Sequence, residues 1–443
     1  MGPRRSLLRR AAVLVAGALL AGLTASSGSA EERARYIVVL ERDVPAAAAA
    51  QEHSRSENAE IGFVYEHALN GYSAMMSPQA AQRIERDPRV AYVEPDLPVS
   101  ASAQLLPTGV DRIDGELSPT ARIDGVDERV DADIAILDTG IDLDHPDLNV
   151  VANTGCASGG PMNRTCTNGN GDDNNWHGTH VAGIAAALDN GIGVVGVAPG
   201  ARLHAVKVLD SRGSGYVSWI IAGIDWVTAR ASTIEVANMS LGGLGHTVSY
   251  RTAIQNSVAK GVVYYVAAGN EMRDVYGPDG VFGNSDDTQP AAFPEVGTIS
   301  ALADFDGRPG GLGSASYSYG VGCTENRDDS FACFSNYARN VTNNPVTSSG
   351  GKIDMMLPGV QIASTYPGAQ YAYTHGTSQA SPHAAGLAAL YVARNGRATT
   401  AAGVYSIRQA LINAGYGQTT TNGLTTHDDP DLRKEPLGWG ATL

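Results

Sequence analysis

Apolar strands and helices alternate along this chain from about residue 132 to residue 268, and that rhythm admits few folds. The segments ADIAILD, HVAGIAAALD, ARLHAVKVLD, YVSWIIAGIDWVTAR, IEVANMSLG, TVSYRTAIQNSVAKG and VVYYVAAG follow one another with short breaks. Strand and helix in regular succession imply crossover connections and a parallel sheet. The strand segments are nearly continuous in apolar residues, as expected when helices cover both faces. The expected class is therefore α/β, a mostly parallel doubly wound sheet with helices on both faces. In open sheets of this kind chemistry gathers at the carboxyl ends of the strands. Two polar, Gly/Asp/Asn-rich inserts, residues 272–289 and about 307–329, are expected as surface loops.

The chain begins MGPRRSLLRR, continues with AAVLVAGALLAGL and ends its leader on TASSGSA, before Glu31 and Glu32. That is the pattern of a secretory signal peptide, cleaved after Ala30. The apolar stretch is shorter than the ~20 residues of a membrane-spanning helix. Arg4 and Arg5 leave a twin-arginine route open. The protein is expected to be secreted, extracellular and free of the membrane after cleavage. A net charge of −15 argues against a nucleic-acid surface. Export favours disulfides, and the four cysteines fall into two local pairs, Cys156 with Cys166 and Cys323 with Cys333. Four cysteines allow three connectivities; each short bridge contributes roughly 2 to 3 kcal/mol at best.

From about Arg35 to Asp96 the chain reads as a small α+β unit of strand, Ala-rich helix, strands, helix and strand, followed by the Pro/Ser/Ala-rich connector LPVSASAQLLPTG. The expected division is 1–30, 31–103 and 104–443. Within the third part, Asp138 closes the strand ADIAILD, His177 opens a helix, and Ser378 lies where a glycine-led turn enters another helix. A serine hydroxyl needs an imidazole to take its proton, and that imidazole needs a buried carboxylate to orient it. Taken singly, each residue also suits a cap or turn. The spacing of His177 and His180 lacks the H-E-x-x-H metal pattern, and Gly376, Ser378 and Ala380 complete only half of an esterase G-x-S-x-G. His180, His204 and His383 are read as structural.

AILDTGID, HGTHVAG and GTSQASPH, in that order, resemble the three catalytic signatures of the subtilisin-like serine proteases, with a likeness to the proteinase K-like branch. The similarity runs on through GVAPGARLHAVKVLDSRGSG, MSLGG, AAGN, FSNY and LPG. RYIVVL, ALNGYSA and DPRVAYVEPD resemble the family's inhibitor propeptide, a small ferredoxin-like α+β domain. The resemblance implies a self-processed zymogen acting on protein and peptide substrates, with its own propeptide as inhibitor. It makes Asp138 the orienting carboxylate, His177 the base, Ser378 the nucleophile and Asn270 an oxyanion donor. Gly213, Ser214 and Gly215, with Ser240, Leu241 and Gly242, would flank the substrate. Leu241, Gly242, Ala267, Ala268 and Gly269 would wall the first specificity pocket; none is charged, so a broad or apolar and aromatic preference is expected. No catalytic cofactor is implied. A structural calcium would take backbone oxygens of Pro294 and Val296 and the carboxylate of Asp354. A monomer is expected.

Two positions depart from the family pattern. His375 stands where serine is frequent. Gln379 replaces the methionine that often follows the nucleophile, removing a thioether that oxidants convert to sulfoxide. Activity should persist in mild peroxide when followed over time; rapid inactivation would contradict this reading.

Overall fold

The computed structural model describes residues 33–96, 104–157, 165–319, 323–325, 327–417 and 429–443. The signal-peptide reading and the boundary at residues 103 and 104 rest on positions outside these residues. Two compact units divide between Ser100 and Ala101.

The first unit is a four-stranded antiparallel sheet in the order Glu60–Tyr65, Gly71–Met76, Ala34–Leu40, Val90–Pro95. Its helices, Ala46–Glu57 and Pro78–Glu85, follow the first and third strands in the chain. Alternation in the strand Ala34–Leu40 is imperfect, but Val38 and Leu40 share one face and bury with Tyr72, Met76 and Ile84. The second helix starts where Ser77 accepts a hydrogen bond from Ala80 N–H at 3.2 Å and Pro78 supplies a preset φ.

The second unit is built on a sheet whose parallel strands run, in spatial order, Ile353–Pro358, Gly297–Ala303, Val263–Ala267, Val236–Met239, Asp133–Asp138, Arg202–Lys207 and Val150–Gly155. Short antiparallel strands, Ser330–Phe331 and Thr167–Asn168, pair with Gly297–Ala303 and Val150–Gly155. The α/β expectation holds. Helices His177–Ala186 and Thr377–Asn395 pack as one pair, and Val217–Thr228 and Val248–Val258 as another. Between these layers the strand Asp133–Asp138 is buried at all six positions, which is why its sequence shows no polar alternation.

The first helix pair approaches closely because its contact is lined by small residues. A Cβ on Gly386 would stand 2.5 Å from Val197 Cβ and 3.1 Å from the carbonyl of Ala185. The sulfurs of Cys156 and Cys166, and of Cys323 and Cys333, are bonded. The insert 272–289 is the surface loop expected at residues 278–286, which are exposed or half-buried, but not at its two ends. Val275 and Tyr276 are fully buried, and Thr288–Gln289 pairs with Gly243–Leu244. There its polarity satisfies buried backbone rather than water: Asp274 accepts from Tyr276 and Arg339 N–H groups. In the second insert, Asp328 and Asp329 are likewise buried. Among the described residues no helix is long and apolar enough to cross a membrane.

Gly386→Ala in a Ser378→Ala background should lower the melting temperature by several degrees, since overpacking at a backbone contact costs roughly 1–3 kcal/mol. Scanning calorimetry of the two chains checks this.

Candidate active site

Asp138 ends its strand fully buried, and its Oδ1 accepts hydrogen bonds from Thr139 N–H at 2.7 Å and from His177 Nδ1 at 2.8 Å. That contact fixes the imidazole tautomer, with the proton on Nδ1 and the lone pair on Nε2. Burial works against a charged His177 ring, but the Asp138 charge, the hydrogen bond to it and the charge of Asp173 outweigh burial, so the pKa is raised. Asp173 was not singled out from sequence. It accepts from Thr139 Oγ1 and Asn175 N–H on one oxygen, and from Thr179 N–H and Oγ1 on the other. One carboxylate thereby ties the turn after Asp138 to the first turn of the His177 helix. A Cβ on Gly178 would collide with the carbonyl of Gly140, so only glycine lets that helix start against the turn.

Ser378 is the second residue of its helix, a position whose N–H has no intrahelical partner. Its Oγ donates to the carbonyl of Ser240 at 3.3 Å, and Ser240 Oγ donates to the carbonyl of Ser378 at 2.7 Å. Pro382 explains the second bond. It lies four residues on, where its missing N–H would have been the partner of the Ser378 carbonyl. Asn270 is held by its Oδ1, which accepts from Thr377 N–H at 2.8 Å and Thr377 Oγ1 at 2.9 Å. The amide Nδ2 therefore faces the other way, toward Gly376.

These residues border two adjoining hollows. A cleft of about 560 Å³ is lined by His177, Gly213, Ser214, Gly215, Ser240, Leu241 and Gly242, among others. A smaller one of about 190 Å³ shares Ser240, Leu241 and Gly242 and adds Ala267, Gly269, Asn270 and Ser378. Ala268 departs from expectation: it is fully buried, its N–H bonds the Ile299 carbonyl, and it does not line the hollow. Strand alternation turns it away while its neighbours face in. The hollow is also not uncharged, since Glu271 and Arg273 contribute to its wall.

A family model described as "Subtilase family" matches residues 131–440, and one described as "Peptidase inhibitor I9" matches residues 35–102. This chain belongs to the subtilase family. Subtilisin E of Bacillus subtilis (strain 168) is 36% identical over 378 residues, covering 84% of this chain and 83% of that protein. A subtilisin of Bacillus pumilus is 38% identical, covering 66% of this chain and 86% of its own length. Among solved structures, a cold adapted subtilisin-like serine proteinase aligns with a TM-score of 0.53 at 26% identity, covering 76% of this chain and 99% of that one. The chain is thus a subtilisin-like serine endopeptidase with an inhibitor-type propeptide domain; these matches do not single out the proteinase K-like branch.

Subtilisins need no catalytic cofactor, and structural calcium is typical of the family. In this subtilase the expected calcium ligands do not fit an ion. Asp354 accepts from Arg408 Nε and Nη2 at 2.9 and 3.0 Å, the Pro294 carbonyl from Arg408 Nη1 at 3.0 Å, and the Val296 carbonyl from Lys352 Nζ at 3.0 Å. Each oxygen offered to calcium already accepts a hydrogen bond from an Arg408 or Lys352 N–H, although burial pushes the Lys352 ammonium down to about 7. Elsewhere, carboxylate oxygens of Asp304, Asp306 and Asp328 lie within 4.8 Å of one another. The structural reading of the other histidines agrees with their contacts. His180 bonds the Ala372 carbonyl at 3.1 Å, His204 bonds Asp133, and His383 bonds the Gln379 carbonyl. Burial pushes His180 and His383 down to about 4, so both are neutral. His375 packs on Tyr317, ring centroids 4.2 Å apart, which joins the second insert to the residues preceding Ser378.

Were His177 the general base, which works in its neutral form, its raised pKa would place the acid limb of kcat/KM above the ordinary histidine value of about 6.5. Asp173→Asn removes one charge that raises it. The limb should move to lower pH, with kcat/KM at its plateau reduced by roughly tenfold as the helix start loosens. A pH–rate profile of both enzymes with a peptide substrate measures this; an unmoved limb would contradict the electrostatic role.

Proposed function

We propose that this subtilase is a secreted endopeptidase working through an acyl-enzyme, with Ser378 as nucleophile, His177 as base and later acid, and Asp138 as the group that orients the imidazole. The observation carrying this reading is the 2.8 Å bond between buried Asp138 and His177, set beside a cleft that reaches Ser378. Ser378 Oγ leaves the Ser240 carbonyl, gives its proton to His177 Nε2 and bonds the scissile carbonyl carbon. Asp138 stays ionised and offsets the imidazolium charge. Negative charge forming on the carbonyl oxygen meets Asn270 Nδ2 and the Ser378 N–H at the helix N-terminus. The imidazolium then protonates the departing amine. Water repeats the sequence in reverse on the ester, restoring Ser378.

Gly213 to Gly215 and Ser240 to Gly242 would receive the peptide backbone as an added strand, glycine permitting close approach. The wall of Leu241, Gly242, Ala267 and Gly269 suits a broad, apolar or aromatic side chain before the scissile bond, with Glu271 and Arg273 providing polar contacts. Residues 35–102, which match inhibitor I9, would inhibit the enzyme until cut by the enzyme itself. Folding assistance from that domain answers a physical need, because a large parallel sheet closes through slow nonlocal contacts.

Expressed in a host lacking other proteases, the Ser378→Ala chain should remain an uncut precursor, whereas the parent is processed near Gln104. A cut variant would contradict self-processing. Fragments of denatured casein, sequenced with and without a serine-directed sulfonyl reagent, should vanish with the reagent and show apolar or aromatic residues before the cut.

A further inference from the structure

The helix Ala401–Ala414 buries a stripe made of Val404, Ile407, Leu411 and Ile412, and in the middle of that stripe stands Arg408. Arginine is almost never fully buried unless paired, and here it is 0% exposed. Its partner is the equally buried Asp354, met by two parallel hydrogen bonds from Nε and Nη2. The remaining arm, Nη1, reaches the Pro294 carbonyl. Lys352 lies two residues before Asp354, in the turn that leads into the strand. It is also 0% exposed, with Nζ on the Val296 carbonyl and on Thr298 Oγ1 at 2.9 Å.

We propose that Arg408, with Lys352 donating beside it, takes the place of a structural calcium ion in this subtilase, so that the junction of residues 294–298 with the strand Ile353–Pro358 is held by side chains of the chain itself. Two arguments carry this. Calcium needs six to eight oxygens at about 2.3–2.6 Å, and the oxygens available here face N–H hydrogens instead. An ion placed among them would also bring a double positive charge beside a guanidinium that never loses its proton. The metal and Arg408 are therefore alternatives for one position. The ion pair does mechanical work as well. It links the C-terminal helix, the turn after Phe293 and the strand start, three segments separated by more than fifty residues from one another.

The test uses the full-length Ser378→Ala chain, which cannot digest itself. Crystals grown in millimolar calcium, and soaked with terbium, should show no anomalous density at coordination distance from the Asp354 carboxylate. A metal peak there would overturn the proposal. The readout is confined to Asp354, which keeps it separate from any ion at Asp304, Asp306 and Asp328. In chelator, Arg408→Ala in the same background should melt about 10 °C below its parent, because it strands a buried carboxylate. An unchanged melting temperature would equally overturn it. Should that variant fail to fold, the crystal experiment on the parent decides alone.

Discussion

A carboxylate removed from water at the end of a central strand is costly, and much around it exists to make it tolerable. Asp138 has no exposure, and a buried charge persists only when paired and hydrogen-bonded. His177 and the N–H of Thr139 supply the direct contacts. Behind them, Lys207 stands in register with Asp138 on the neighbouring strand and gives its ammonium to the Thr139 carbonyl and to Asn174 Oδ1. Asp173 then braces the same turn from the side of the histidine helix. The result is a carboxylate and an imidazole whose relative position is set before any substrate arrives, which is the condition for electrostatic help in a reaction.

The same logic governs the serine. Its helix begins without a side-chain cap, and the N-terminal groups are instead satisfied from across the fold: Asn270 takes the Thr377 N–H, and Ser240 takes the carbonyl that Pro382 leaves open. Proline inside the helix looks like a flaw in isolation. Across the sheet it becomes a way to bond Ser378's own peptide group to the segment where substrate backbone is proposed to lie.

The layered architecture was legible in the sequence because buried strands repeat apolar residues without alternation and because crossovers impose a regular spacing. Asp138, His177, Ser378 and Asn270 were legible because each sits in a short motif at an element end, and the structure brings Asp138 against His177 while Ser378 and Asn270 meet at Thr377 and Gly376. Pairings across long separations were not legible. Arg408 is 54 residues from Asp354 and 114 from Pro294. The local segment KIDMMLPG resembles a calcium ligand set with equal force whether an ion or a guanidinium faces it. A signal did exist: an arginine within the apolar face of SIRQALINA demands a buried carboxylate. Ala268 was misassigned as a pocket wall through a simpler oversight, since alternate residues at a strand end face opposite ways. The insert 272–289 reads as solvated because its aspartates are polar, and Asp279 is; Asp274 instead serves as acceptor for buried backbone.

Several letters of the most recognisable motifs have no chemistry at all. A methyl group on Gly178 would strike the Gly140 carbonyl, one on Gly140 would strike the carbonyls of Gly171 and Asp172, and Gly376 turns the chain at φ 148° just ahead of the serine helix. Their place in the pattern is a matter of available room rather than reactivity. Transplanting the three reactive side chains alone onto another α/β scaffold would therefore import the reagents without the clearance that lets them meet.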